Sequence, residues 1–173
     1  MNKPTGTPKI CLRAMEPEDL DLLYKVENDQ EIWCVGSTNV PYSRYALHNY
    51  MAEATGDIYT DKQVRLMIDN ESGETVGMVD LVNFNPQHQR AEVGIVIKKP
   101  YRGKGYARAA MDDLVNYSRR VLHLHQLYAI VSLDNITSLC LFRDLGFQSD
   151  MKLHEWLYDG DSYKDALLMQ YFL

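Results

Sequence analysis

Apolar and polar positions change their period several times along the chain, and each change marks an element. Ile10 to Arg13 reads as a short strand. Glu16-Pro17-Glu18-Asp19 then opens a helix, with Pro17 suited to the first helical position and carboxylates beside the positive end of the helix dipole. Leu20, Leu23 and Tyr24 mark its buried face. The segment from Ile32 to Tyr42 is irregular. Ser43 caps a second helix, on which Leu47, Tyr50, Met51 and Ala54 recur at helical spacing until Gly56 stops it. Val64 to Asp69, Thr75 to Phe84 and the β-branched run Val93 to Ile97 read as strands. The turn signals Asn70-Glu71-Ser72-Gly73 and Asn85-Pro86-Gln87-His88 separate them, so the three form an antiparallel meander.

A longer helix follows, with Ala107, Ala110, Met111, Leu114, Ser118 and Val121 on one face. Gln126 to Ser132 is another strand. Asp134-Asn135 caps a helix that buries Leu139, Phe142 and Leu145 and ends at Gly146. Lys152 to Tyr158 and Ser162 to Leu173 pair as a terminal hairpin around Asp159-Gly160. The order β-α-α-β-β-β-α-β-α-β-β gives a mixed α/β sheet with one parallel crossover in its middle. The carboxyl ends of the crossover strands are where a ligand is expected.

Composition narrows this picture. A chain of 173 residues, 46% apolar, is one globular domain, here residues 9–173 behind a frayed arm from Met1 to Pro8. A net charge of −6 argues against a general nucleic-acid partner. Cys11, Cys34 and Cys140 are odd in number, far apart and without metal-ligand spacing, so they read as thiols of a reducing compartment. The amino-terminal arm lacks the apolar stretch of a signal peptide, and no run approaches the roughly 18 apolar residues of a membrane span. A cytoplasmic protein without metal or membrane contact is the expectation.

Candidate chemistry concentrates between Glu92 and Ala107. The strand to Ile97 ends at Lys98-Lys99-Pro100, the cationic turn Arg102-Gly103-Lys104-Gly105 follows, and a helix starts at once. Strand, glycine turn and helix N-terminus make an anion site, because unpaired N–H groups and the helix dipole face the ligand and the glycines let it approach. A phosphate or pyrophosphate is expected across Arg102, Gly103, Lys104, Gly105, Tyr106, Ala107 and Arg108. A surface turn with incidental cations uses the same residues. Arg108 excludes the dinucleotide fingerprint, and Tyr106-Ala107 after Gly105 excludes a P-loop.

Two motifs in order resolve that choice. Arg102, Gly105 and Ala107 after a strand, then Ile130-Val131, Asn135 and Leu145-Gly146-Phe147, resemble the GNAT superfamily of acetyl-CoA-dependent N-acetyltransferases from about residue 9 onward. Within it the chain is most similar to the bacterial spermidine/diamine N-acetyltransferases. The shared stretches are Val79-Asp80-Leu81-Val82, His88-x-Arg90-Ala91-Glu92, Gly103 to Arg108, Glu155-Trp156 and Asp159-Gly160. The resemblance implies a mostly antiparallel sheet of six to seven strands with helices on both faces. It implies acetyl-CoA as co-substrate, its pyrophosphate on the amides of Gly103 to Arg108. Pantetheine would run along Ile95, Val96 and Ile97, with Asn135, Ser138 and Phe142 completing the site. The thioester carbonyl would accept a backbone N–H near Ile95, as in an oxyanion hole.

The acceptor must lose a proton. An alkylammonium with a pKa of about 10.4 is neutral in only about one molecule in 2,500 at pH 7. Glu92, opening the central strand, is either the general base or a glutamate salt-bridged to Arg90. Asp80 is a second carboxylate for the acceptor's ammonium, and His88 is a third candidate. Asn83 and Trp33 are further acceptor contacts. Trp33, Tyr42, Tyr45 and Tyr50 line a pocket or, as the simpler reading, pack in the core. The chain departs from its relatives twice. Phe142 stands where the family's tyrosine protonates the departing thiolate, leaving Tyr101, Tyr128 or water for that step. Val35 to Val40 carries no carboxylate, and Asn83 stands where an acid is usual. A protein amine acetyltransferase and an acyl-CoA-binding module stay open as alternatives, as does a dimer or larger oligomer.

Overall fold

Alternation along the strands sorts the apolar side chains onto two faces of one sheet. The computed structural model describes residues 6–30 and 40–173. Its strands are β1 (Ile10–Ala14), β2 (Val64–Asn70), β3 (Thr75–Asn85), β4 (Arg90–Ile97), β5 (Gln126–Ser132), β6 (Gln148–Tyr158) and β7 (Tyr163–Phe172). They form a seven-stranded sheet in the order β1-β2-β3-β4-β5-β7-β6. Adjacent strands are antiparallel except β4 and β5, so the expected mixed sheet with a central parallel crossover is present. The described helices are α1 (Leu20–Glu27), α2 (Arg44–Glu53), α3 (Ile58–Asp61), α4 (Tyr106–Arg120) and α5 (Ile136–Asp144).

Successive strand residues face opposite ways. Val79 and Leu81 of β3 and Ala91, Val93 and Ile97 of β4 enter the larger core with Met111, Leu114, Leu139 and Phe142, beneath α4 and α5. Met67 and Met78 enter the smaller core with Leu23 and Leu47, beneath α1 and α2. Gly77 is the tightest rung between β3 and β4, since a Cβ there would collide with the Val96 carbonyl.

Local chemistry explains the helix starts. Ser43 Oγ accepts from the Ala46 amide at 3.0 Å and begins α2. Before α1 the chain makes a 3-10 turn over Pro17–Asp19, and the Asp19 carboxylate accepts from the Glu16 amide at 2.9 Å.

Several expectations need correction. Val121 is 59% exposed, because α4 ends one residue earlier and Val121 leaves its buried face. Tyr45 is 76% exposed on α2, whereas Tyr42 and Tyr50 do pack against the smaller core. The central strand starts at Arg90 rather than Glu92, and the terminal hairpin at Gln148 rather than Lys152. The short helix α3 had no counterpart in the hydrophobic pattern. Pro8 lies close against Gly105. Trp33 and most of Ile32 to Tyr42 fall outside the described residues.

Candidate active site

Strands β4 and β5 pair at only three rungs: Arg90 with Gln126, Ala91 with Leu127, and Glu92 with Tyr128. Beyond Glu92 they part. Ile95, Val96 and Ile97 therefore pair with β3 on one side only, and a wedge opens between β4 and the carboxyl end of β5. A cavity of about 900 Å³ fills the wedge. That is room for a cofactor-sized ligand. Its wall takes Ile95, Val96 and Ile97 from β4, with Asn135 and Ser138 from the opposite side.

The glycine turn closes one end of this cavity. Gly103 and Gly105 both adopt left-handed backbone, with φ of 72° and 88°. That conformation strains residues with a Cβ, so glycine is required here. Arg102, Gly103, Gly105, Tyr106, Ala107 and Arg108 line the cavity as expected. The Ala109 amide is paired with the Gly105 carbonyl, and the amides before it belong to the unpaired first turn of α4. They and the helix dipole give this end its positive character. Arg102 is fixed by donating Nε to the Ile97 carbonyl at 2.9 Å.

Two expected cofactor contacts are not on the wall. The Lys104 ammonium lies 5.4 Å from the centroid of the Tyr101 ring instead. Phe142 is 4% exposed and meets Phe147 edge-on at 4.9 Å within the larger core. The helical repeat explains this. Asn135, Ser138 and Leu141, three apart, share the face of α5 that lines the cavity, while Leu139 and Phe142 share the buried face. Asn135 also caps α5, its Oδ1 accepting from the Ser138 amide at 3.1 Å.

The carboxylates lie at the apex of the wedge and beside it. Glu92 sits on the last paired rung, and Asn83 donates Nδ2 to its Oε2 at 2.8 Å. Asn83 reaches across because the β3–β4 register shifts between Val82 and Asn85, where Asn83 itself turns left-handed at φ 52°. The Tyr128 phenol lies within the electrostatic reach of Glu92, its partner on this rung. Burial first, and then the Glu92 charge, push it above its ordinary pKa. Asp80 is not an open carboxylate as expected. Arg65 holds it from two nitrogens and reaches Glu27 with a third, beneath Tyr50. His88 is exposed in the turn before β4.

Sequence reasoning missed part of the wall. Ser132, Thr137 and Leu141 line it, as do Asp134, Asp159, Asp161 and Lys164 where the terminal hairpin leans over the carboxyl end of β5. Lys164 Nζ lies 3.7 Å from Asp134 and 3.5 Å from Asp159. The Asp159-Gly160 turn was legible. Its approach to the cavity depends on β7 lying between β5 and β6, and no local signal carries that order.

Comparison with known proteins agrees with this geometry. Residues 9–148 match the acetyltransferase (GNAT) domain. The spermidine N(1)-acetyltransferase of Escherichia coli K12 is 32% identical over 168 residues, covering 94% of this chain and 86% of the relative. A Vibrio cholerae spermidine N-acetyltransferase solved in complex with CoA and spermine superposes with a TM-score of 0.85 at 27% identity, covering 94% and 95% of the two chains. A dodecameric structure of the Vibrio cholerae enzyme in an intermediate state superposes at 0.80 and 26% identity, covering 94% and 93%.

Proposed function

The chain belongs to the GNAT acetyltransferase family, and from that premise we propose that it acetylates a primary amine of a di- or polyamine by direct attack in a ternary complex. Its reaction class is that of the family: N-acetyl transfer from acetyl-CoA. The observation that carries the reading is the wedge between β4 and β5, with a one-sided strand along its wall and a cationic glycine turn at its end.

In this reading pantetheine lies along Ile95, Val96 and Ile97 and uses the strand groups that β5 leaves unpaired. The pyrophosphate rests on the amides from Gly103 to Arg108. Asn135 and Ser138 bond the arm from the other wall. The thioester carbonyl accepts a backbone N–H near Ile95, where a fixed dipole stabilises the charge that develops on oxygen. Glu92 takes the proton that the amine sheds on attack. Its position at the wedge apex and its bond from Asn83 support that role. The named activities of the Escherichia coli and Vibrio cholerae relatives, and the spermine bound to one of them, support a polyamine acceptor. The dodecameric relative supports assembly of this chain into an oligomer. No described helix is long and apolar enough to cross a membrane.

Thiol release from acetyl-CoA, measured against spermidine, putrescine, aminoglycosides and amino-terminal peptides, tests the reading. The highest kcat/KM is expected with spermidine or a close relative. A clear preference for peptides would replace the polyamine assignment with protein acetylation, and no release with any amine would remove the transferase reading altogether.

A further inference from the structure

Phe142 stands at the position to which the resemblance assigns protonation of the leaving thiolate, and a phenyl ring has no proton to give. Two tyrosines on the wall are poorly placed for that task. Tyr101 and Tyr106 pack edge-on at 5.9 Å beside the glycine turn, at the anion end. We propose that Tyr128 protonates the departing CoA thiolate, held for that step by Glu92 and Asn83.

Four observations converge on this residue. Tyr128 is the β5 member of the last rung before β4 and β5 part, so it stands at the apex of the wedge. It shares a sheet face with Glu92, opposite the core face of Leu127, Ala129 and Val131. Glu92, its partner across that rung, acts electrostatically on its phenol. Asn83 bonds Glu92 from a left-handed backbone position at an irregular rung, a strained device that aims one side chain at this pair. Charged groups acting on the phenol are Glu92 and Arg90, both on β4, while the β7 residue opposite Tyr128 is the neutral Gln170.

The proposal rests on the transferase reading above, and the protons balance within it. The neutral amine's lone pair forms the C–N bond. The nitrogen then gives its surplus proton to the Glu92 carboxylate. The C–S bond breaks, its electron pair stays on sulfur, and the Tyr128 hydroxyl donates the proton that makes the free thiol. Protonated Glu92 then returns its proton to the phenolate, restoring both groups. The coupling has a physical logic. Before attack, burial and then the Glu92 charge hold the proton on the phenol. Once Glu92 is neutral that opposition is gone, so the phenol is a stronger acid at the moment the thiolate leaves.

The test uses the full chain and the amine that the wild type acetylates best. Tyr128→Phe should lower kcat about ten- to a hundredfold, since a thiolate is a good leaving group and acid assistance is worth less than its usual maximum. KM for acetyl-CoA should stay within about twofold, because no cofactor-binding contact is removed. The alkaline fall in wild-type kcat should vanish in Tyr128→Phe. Should that variant fail to fold, 3-fluorotyrosine at position 128, nearly isosteric and more acidic, should move the alkaline limb to lower pH. Unchanged kcat in Tyr128→Phe, or an unmoved limb in the fluorinated protein, overturns the proposal. A wild type inactive with every amine defeats the transferase reading instead, and takes this proposal with it.

Discussion

Arg65 binds Asp80 through two hydrogen bonds, Nε to Oδ1 at 2.8 Å and Nη2 to Oδ2 at 2.9 Å, while Nη1 reaches Glu27 at 2.5 Å. The pair ties β2 to β3, and Glu27 ties both to the end of α1. Burial opposes the Arg65 charge, and the Asp80 pair overrides it, so the guanidinium is held above its ordinary pKa. Asp80→Ala leaves that cation half-paired at a site only 18% exposed. It should cost about 2–4 kcal/mol in urea denaturation, less than a fully buried pair would. Asp80→Asn keeps the shape and one acceptor, and should cost about 1–2 kcal/mol. A rise in acceptor KM with unchanged stability would instead return Asp80 to ammonium binding.

Asp19 supplies a pH-dependent term. Burial pushes its carboxyl up, but hydrogen bonds from Arg13 and the Glu16 amide outweigh it and leave the pKa below the ordinary value. A depressed carboxylate pKa stabilises the fold fully above the unfolded value of about 3.9, and that contribution disappears as pH falls through the folded value. Asp19→Asn should therefore destabilise most near pH 7. The gap to wild type should close on acidification below about pH 4, read from melts at a series of pH values. A gap that stays constant with pH would show that the carboxylate charge contributes nothing.

Gly105 serves the backbone and the ligand together. At φ 88° any Cβ is strained, and an added one would lie 3.0 Å from Pro8 Cδ. Gly105→Ala should lose about 1–2 kcal/mol from left-handed strain. Gly105→Glu adds bulk and a negative charge where the pyrophosphate is proposed to rest, and acetyl-CoA binding should disappear in calorimetry. Tight binding by a folded Gly105→Glu protein would move the pyrophosphate elsewhere.

The sheet and the anion turn were legible because their signals are local. Alternation along Val93 to Ile97, the Asn70 and Asn85 turns, and glycines before a helical pattern each lie within a few residues. Acceptor-side geometry was not legible, because it depends on pairs distant in the chain. Asp80 looked like a free carboxylate until the fold brought Arg65 from β2 and Glu27 from α1 onto it. Asn83 looked like a lost acidic residue, yet one left-handed angle turns it into a donor to Glu92. Phe142 and Lys104 lie off the cavity wall for a smaller reason. A motif names the turn or helix that carries a site, and the rotation of each side chain decides which of its residues face the ligand.

Asn135 separates capping from binding within one side chain. Its Oδ1 accepts from the Ser138 amide and starts α5, while the residue also lines the cavity. Among the described residues nothing accepts from its Nδ2, which leaves that donor for the pantetheine amide carbonyl. Aspartate caps a helix about as well as asparagine, whereas alanine gives up about 1 kcal/mol. Asn135→Asp should therefore melt close to wild type. It replaces the donor with a carboxylate oxygen, which repels both a carbonyl and the anionic cofactor, so KM for acetyl-CoA should rise about tenfold or more. Asn135→Ala should lose stability as well as affinity. If Asn135→Asp matches wild type in both melting and KM, the residue acts as a cap alone, and pantetheine takes its hydrogen bonds from the β4 side of the wedge.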